Sequence, residues 1–112
     1  MNRCTWPLGN GQNLAFDIYS SNTEWNEVAG LYIFAYDNGQ HWRALYVGQT
    51  DDFSSRIPSH EKWNAAVRRG ATHIHAVVVP QAAMRDTWEK LLIAHLQPPM
   101  NEQYKGLRRM TV

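Results

Sequence analysis

The sequence contains a single cysteine, Cys4, among its 112 residues. One thiol cannot form an internal disulfide or a metal site built from several thiolates, so both kinds of stabilisation are excluded. We do not expect Cys4 to be a catalytic nucleophile, because it lies near a terminus and has no visible partner. The scarcity of cysteine is typical of proteins that work in a reducing compartment.

A long apolar run is also missing, and the chain does not open with a positively charged segment followed by apolar residues. A membrane-spanning helix needs about 20 apolar residues in succession. A secretory signal has the charged-then-apolar pattern that is missing here. We therefore expect a cytoplasmic protein without a membrane partner.

An excess of charge of one sign is absent as well, since the formal net charge is +1. Proteins that bind nucleic acid through phosphates alone are usually more basic. Local basic clusters are nevertheless present at Arg68-Arg69, Lys105 and Arg108-Arg109. These clusters are as consistent with a solvated surface as with a positive rim around a substrate site.

The size and composition predict one soluble globular domain, with 44% hydrophobic and 19% charged residues. A chain of this length can bury one core but not two. We expect an N-terminal strand or arm over residues 1–29, a core over 30–101 and a tail over 102–112.

Two β-prone runs joined by a polar turn are the most distinctive feature of the sequence. The runs are Gly30 to Tyr36 and Leu45 to Thr50, with Asp37-Asn38-Gly39-Gln40 in between. Glycine tolerates the positive φ of a tight connection, so this pattern predicts a β-hairpin.

Side chains alternate between the two faces of a strand, so the hairpin brings particular residues together. Depending on the register, Tyr32 and Tyr46 stand close on one face. Gly48 shares that face and leaves the sheet bare, so we expect that a ligand can approach the backbone there.

Further elements follow from caps, breakers and periodicity. We expect a strand or extended arm over Leu14 to Tyr19 packed beside the hairpin, a short helix over Phe53 to Ile57 capped by Asp51 or Asp52, a helix over His60 to Arg69 capped by Ser59 and ended by Gly70, and a strand over Thr72 to Val79.

The longest predicted helix runs from Gln81 to Leu96. Its apolar arc, which we expect to be buried, contains Met84, Trp88, Leu91, Leu92, His95 and Leu96. Glu89 lies at the edge of this arc, where a carboxylate is neither fully exposed nor deep in the core. From this helix alone, a surface glutamate paired with Arg85 is the better explanation.

Two histidines, His73 and His75, share one face of the predicted third strand. Two imidazoles at this spacing can bind a transition metal. No third ligand is evident, so we favour an ordinary packed or hydrogen-bonded pair.

The order of these features resembles the GIY-YIG nuclease superfamily. The resemblance rests on Gly30-Leu31-Tyr32 and Tyr46-Val47-Gly48, followed by Gln49-Thr50, Arg56 and His60, and then by Glu89 on a helix with Asn101 after it. Leu31 and Val47 stand where the family has isoleucines, and Pro58 interrupts what many relatives show as a continuous helix. The resemblance implies an α/β (α+β) fold, with a small antiparallel sheet built on the hairpin and flanked by helices.

The resemblance also implies a function, that of a metal-dependent endonuclease that hydrolyses phosphodiester bonds in DNA with Mg²⁺ or Mn²⁺. It assigns catalysis to Tyr32, Tyr46, Arg56, His60 and Glu89, with Glu89 as the metal ligand. It leaves open which tyrosine is the general base. We expect substrate binding by Gly48, Asn101, Arg68 and Arg69.

These residue types suit phosphodiester hydrolysis. The reaction needs a deprotonated water, neutralisation of charge in the transition state and help for the leaving oxygen. Mg²⁺ keeps several waters, so a single carboxylate such as Glu89 is enough to hold it. The guanidinium of Arg56 offers a permanently charged fork to a phosphate. A tyrosine becomes a base only if nearby positive charge lowers its pKa from about 10.

A second interpretation is a catalytically inactive GIY-YIG-like module that binds nucleic acid or a protein partner. The presence of all the motif residue types favours the enzyme. The near-neutral charge favours a substrate chosen by its structure, or delivery to DNA by a protein partner.

Overall fold

The hairpin predicted from the sequence lies at one end of a five-stranded sheet in the computed structural model, which describes residues 2–101. The elements are β1 (Arg3–Pro7), β2 (Asn13–Tyr19), β3 (Gly30–Asp37), β4 (Trp42–Thr50), α1 (Phe53–Arg56), α2 (Trp63–Arg68), β5 (His73–Val78) and α3 (Ala82–Leu96). The predicted tail over 102–112, with Lys105 and Arg108-Arg109, lies outside the described residues. Among residues 2–101 no helix has both the length and the apolar character needed to cross a bilayer.

The sheet has the order β1-β2-β5-β3-β4, and every neighbouring pair is antiparallel. One face packs against α3, where Leu92 and Ile93 join Leu31 and Val47 in a buried cluster. The other face packs against α1 and α2 through a cluster that includes Phe53 and other apolar side chains. The predicted small antiparallel sheet with flanking helices is therefore confirmed.

The register of the hairpin places the motif tyrosines on one face. Tyr32 lies opposite Gly48 and Phe34 lies opposite Tyr46, with a bulge after Phe34. The turn has Gly39 at φ +94°, in the left-handed region that glycine adopts readily. The side chain of Asp37 accepts the backbone N–H of Gly39 at 2.8 Å, as expected for an Asp-Asn-Gly turn.

The N-terminal strand does not lie beside the hairpin as predicted. β2 pairs with β1 on one side and with β5 on the other, so β5 separates β2 from β3. Ile74 of β5 lies opposite both Tyr19 and Phe34. The order of strands in a sheet depends on long-range pairing, which the local pattern of β2 does not encode.

The segment between the two short helices also differs from the prediction. Asp52 caps α1 as expected, because its carboxylate accepts the backbone N–H of Ser54 at 2.9 Å. α2 begins at Trp63 and not at His60, and Ser59 does not cap it. The imidazole Nδ1 of His60 instead accepts the backbone N–H of Lys62 at 3.0 Å, which holds this residue in a turn.

The buried face of α3 is rotated from the predicted one. Arg85, Leu92 and Ile93 are buried, whereas Met84 and His95 are exposed, so their predicted place in the core was wrong. The guanidinium of Arg85 donates to the carbonyls of Val79 and Pro80 at 3.0 and 2.9 Å. A charged residue therefore occupies the face that a hydrophobic pattern assigns to apolar residues, and it is not available to pair with Glu89.

The two histidines of β5 are held by ordinary contacts. The indole N–H of Trp6 donates to Nδ1 of His75 at 3.0 Å, and His73 hydrogen-bonds to the hydroxyl of Thr72 at 2.9 Å. His75 is fully buried and stacks edge-on against Trp42, with ring centroids 4.6 Å apart. Each imidazole is therefore packed or hydrogen-bonded, as the sequence favoured, although Nε2 of His75 is buried without a hydrogen-bond partner among residues 2–101.

Candidate active site

The two motif tyrosines form the centre of the candidate site. Tyr32 on β3 and Tyr46 on β4 have ring centroids 6.3 Å apart. Tyr32 is buried, whereas Tyr46 is half-buried. A Cβ built on Gly48 would overlap the phenol end of Tyr32. The bare backbone that we expected a ligand to use is therefore covered by Tyr32, and Gly48 makes room for that ring.

His60 joins the tyrosines from the turn between α1 and α2. Its Nε2 lies 2.8 Å from the hydroxyl of Tyr32. Nδ1 already accepts a backbone N–H, so a neutral His60 carries its proton on Nε2 and donates to the phenol oxygen. Burial, and then the positive charge of Arg56, lowers the pKa of His60 to about 4. His60 is therefore neutral near pH 7.

The surroundings of the phenols oppose their ionisation. Burial raises the pKa of Tyr32 well above 10, and the neighbouring Tyr46 raises it further. Burial likewise raises the pKa of Tyr46. The positive charge of Arg56 lowers both pKa values without cancelling the effect of burial. Either tyrosine therefore needs additional positive charge to act as a base at neutral pH.

Arg56 ends α1 within electrostatic reach of both phenols. Its two terminal nitrogens donate to the two carboxylate oxygens of Glu61 at 2.9 and 2.8 Å. These bonds raise the pKa of Arg56 and lower that of Glu61 to about 2. Both groups are therefore charged across the neutral pH range, and the guanidinium fork holds a carboxylate.

Glu89 reaches the site from the other face of the sheet. Its carboxylate accepts the side-chain N–H of Gln49 at 2.8 Å, and Gln49 lies at the end of β4. The negative charge of Glu89 contributes to the raised pKa of Tyr32 and of Tyr46, so it lies within electrostatic range of both phenols. β4 is an edge strand, so groups from the two faces can meet beside it.

The environment of Glu89 favours a bound cation. Burial raises the pKa of Glu89, and the charge of Asp86 raises it further. A cation would relieve both effects, because it compensates a partly desolvated carboxylate. Within residues 2–101 no cluster of three or more His, Cys, Asp or Glu residues is placed to hold a metal ion. The carboxylate of Glu89 is an oxygen ligand of the kind that a hard divalent cation accepts together with several waters.

Asn101 is buried and bonded to the edge strand. Its side-chain oxygen accepts the backbone N–H of Val47, and its side-chain nitrogen donates to the carbonyl of Val47, both at 2.8 Å. The backbone N–H of Met100 donates to the carbonyl of Leu45 at 3.0 Å. Met100 and Asn101 therefore close the outer edge of β4 on either side of Tyr46, and substrate binding by Asn101 stays a prediction.

The two remaining predicted residues lie apart from this cluster. Arg68 and Arg69 are exposed at the end of α2. In the described part of the chain, neither side chain hydrogen-bonds or forms an ion pair with the residues above. Their role in binding substrate is not supported by a contact and stays a prediction.

Sequence reasoning assigned no role to two side chains that the structure places in the site, Gln49 and Glu61. Gln49 alternates with Gly48 along β4 and so faces α3, but only the position of α3 shows that its amide meets Glu89. Glu61 was predicted to lie in a second helix that begins at His60, separate from the short helix that contains Arg56, so the pattern did not pair the two side chains. The turn that replaces the start of that helix brings the two together.

Comparison with solved structures identifies the fold. The GIY-YIG N-terminal endonuclease domain of UvrC from Thermotoga maritima, bound to magnesium as its catalytic divalent cation, matches with a TM-score of 0.57 and 23% identity over 69% of this chain and 86% of that one. A point mutant of that domain in which a tyrosine is replaced matches with a TM-score of 0.56 and 26% identity over the same shares. A mutant in which an asparagine is replaced matches with a TM-score of 0.55 and 24% identity over 67% and 83%.

The comparisons with family models and with curated proteins found no match. The identities to the solved domains are low, so the likeness concerns the fold. The agreement in fold covers about two thirds of this chain. The chain therefore has a GIY-YIG-like fold.

Proposed function

We propose that this domain is a metal-dependent endonuclease that hydrolyses phosphodiester bonds in DNA. The observation that carries the proposal is the convergence of side chains from four different elements: the rings of Tyr32 and Tyr46 lie 6.3 Å apart, and Arg56 and Glu89 are close enough to shift the pKa of both phenols. A base, a phosphate-binding cation and a metal-binding acid are the three groups that this hydrolysis requires. The similar domain of UvrC is an endonuclease with a catalytic divalent cation, which supports the same reaction class.

Glu89 would hold the divalent ion, Mg²⁺ or Mn²⁺, through its carboxylate. When bound, the ion supplies positive charge to a phosphate oxygen and to the leaving oxygen. Gln49 donates to one oxygen of Glu89, which fixes the orientation of the carboxylate. Burial raises the pKa of Glu89, and this hydrogen bond opposes that effect without cancelling it.

We assign the role of general base to Tyr46. Tyr46 is only half-buried, and its hydroxyl has no hydrogen-bond partner among residues 2–101, so we take this phenol as the one that a water molecule approaches. The hydroxyl of Tyr32, by contrast, is buried and bonded to His60. The positive charge of Arg56 lowers the pKa of Tyr46, in the direction that a base requires.

Tyr32 and His60 then act as a positioning pair. Nε2–H of His60 donates to the oxygen of Tyr32 and so fixes the position of this buried phenol beside the ring of Tyr46. Arg56 binds the scissile phosphate through its guanidinium fork. A cytoplasmic location and delivery to DNA by a protein partner belong to the same proposal.

Cleavage of branched, nicked and plain duplex DNA with Mg²⁺ or Mn²⁺ tests the proposal. Glu89→Gln should abolish metal-dependent cutting, because the neutral amide is a much weaker ligand for a divalent ion than the charged carboxylate. Glu24→Gln is the matched control, since it makes the same chemical change at an exposed glutamate. Binding without cutting, unchanged by Glu89→Gln, would instead identify a non-catalytic module.

A further inference from the structure

The carboxylate of Glu61 occupies the part of Arg56 that a phosphate would use. Both terminal nitrogens of Arg56 are engaged, one with each carboxylate oxygen, at 2.9 and 2.8 Å. A phosphodiester offers two non-bridging oxygens to the same fork in the same geometry. The two anions therefore cannot be bound to this fork at the same time.

We infer that Glu61 is an intramolecular competitor for the substrate phosphate at Arg56, and that it sets the affinity of the site for nucleic acid. The inference rests on the proposed function, because it takes Arg56 as the phosphate-binding group. It assigns Glu61 to positioning and specificity, since Glu61 acts through Arg56 and not on the reacting atoms.

The exposure of Glu61 makes this exchange feasible. Its side chain is 64% exposed, whereas that of Arg56 is 36% exposed. Glu61 can therefore rotate into solvent without burying an unpaired charge. Ion pairs between exposed groups are individually weak, so an incoming phosphate that also contacts other groups can displace the carboxylate.

Glu61 competes throughout the neutral pH range. Its pKa is lowered to about 2, chiefly by the hydrogen bonds from Arg56, so the carboxylate stays ionised well below neutral pH. Mild acid therefore does not release Arg56. An anion that binds through several contacts, such as a nucleic-acid strand beside a metal ion, displaces Glu61 more readily than a single small anion does.

The test is the affinity of the full chain for a short fluorescent DNA oligonucleotide, measured by anisotropy in low salt with EDTA present. Glu61→Gln should tighten binding about two- to fivefold, the range that corresponds to loss of one exposed ion pair. Asp17→Asn is the matched control, because it removes another arginine–carboxylate ion pair. Asp17 lies on β2, and its Oδ1 is 2.9 Å from Nε of Arg3. This control should change the affinity by less than about 1.5-fold, because its arginine is outside the proposed phosphate site.

A double-mutant cycle makes the test specific. In an Arg56→Gln background, Glu61→Gln should give no gain beyond that of Asp17→Asn, because the competed group is gone. Glu61→Ser is the second variant if the glutamine form has a lower melting temperature. With cutting restored by Mg²⁺, the substitution should lower KM and leave kcat nearly unchanged.

Three results would overturn the inference. The first is an equal gain in affinity for Glu61→Gln and Asp17→Asn, the second is a gain that persists without Arg56, and the third is no measurable binding by any variant. Binding is measured with EDTA, and cutting is measured separately with Mg²⁺ or Mn²⁺. Failure of the wild type to cut DNA would therefore refute the nuclease proposal without deciding the result of the binding test.

Discussion

Replacing Asn101 by alanine should destabilise the domain more than most substitutions at a binding residue would. The change removes two hydrogen bonds of 2.8 Å and leaves the N–H and the carbonyl of Val47 without their partner. Each unpaired buried group costs about 1–3 kcal/mol, and entry of water reduces the total, so we expect a loss of about 2–4 kcal/mol in the free energy of unfolding.

Urea denaturation followed by tryptophan fluorescence measures this loss. The domain should stay folded in water, since small domains have about 5–15 kcal/mol of stability. Asn101→Asp should have an intermediate effect, because it keeps an acceptor for the N–H of Val47 and loses the donor to its carbonyl. Asn26→Ala, at an exposed asparagine, is the control and should change the stability by less than about 0.5 kcal/mol.

The experiment also separates the two roles considered for Asn101. If the role of Asn101 is to close the edge of β4, Asn101→Ala should lower the free energy of unfolding, and activity should fall only in proportion to the fraction of folded protein. A stability change of less than about 0.5 kcal/mol, with a large loss of DNA binding, would refute the structural reasoning and support the substrate-binding role predicted from the sequence.

Three further predictions concern Gly48, the two motif tyrosines and the two buried histidines. Gly48→Ala should cost about 1–3 kcal/mol in urea denaturation and reduce cutting, because the new methyl group displaces the ring of Tyr32; unchanged stability and activity would show that the ring does not need this space. Tyr46→Phe should lower kcat in single-turnover cleavage by at least about 100-fold, and by more than Tyr32→Phe, and the reverse order would reassign the base. In the folded protein, burial lowers the pKa of His60 and of His75 to about 4. Between about pH 6.5 and pH 4 the unfolded chain therefore binds more protons than the folded one. The free energy of unfolding should fall across this range by about 3 kcal/mol for each histidine. Denaturation at pH 7.0, 5.5 and 4.5 measures this slope, which should be shallower in His75→Gln.

Features with a local cause were predictable from the sequence. The Asp-Asn-Gly turn fixes the hairpin because the side chains of the turn satisfy its own backbone groups. The cap of α1 was predictable for the same reason, since Asp52 bonds a backbone group two residues away. The alternation of the strands then placed Tyr32 and Tyr46 on one face.

Features with a distant cause were not predictable. The orientation of α3 depends on Arg85, a charged residue that is buried because two backbone carbonyls after β5 accept its hydrogen bonds. The hydrogen bonds of Asn101 depend on the backbone of Val47, 54 positions earlier in the chain. Neither hydrophobic periodicity nor a motif reports such partners. The predicted buried face of α3 was therefore rotated from the observed one, and the hydrogen bonds between Asn101 and Val47 were not predicted.

The account depends most on the claim that Glu89 binds a divalent ion beside the two phenols. Titration with Mn²⁺ under NMR observation tests it directly, because a paramagnetic ion broadens the signals of nearby protons. The ring signals of Tyr32 and Tyr46 should broaden before those of Tyr19 on β2, and Glu89→Gln should abolish this selectivity. Broadening that is equal for all tyrosines, or that persists in Glu89→Gln, would contradict the proposed metal site.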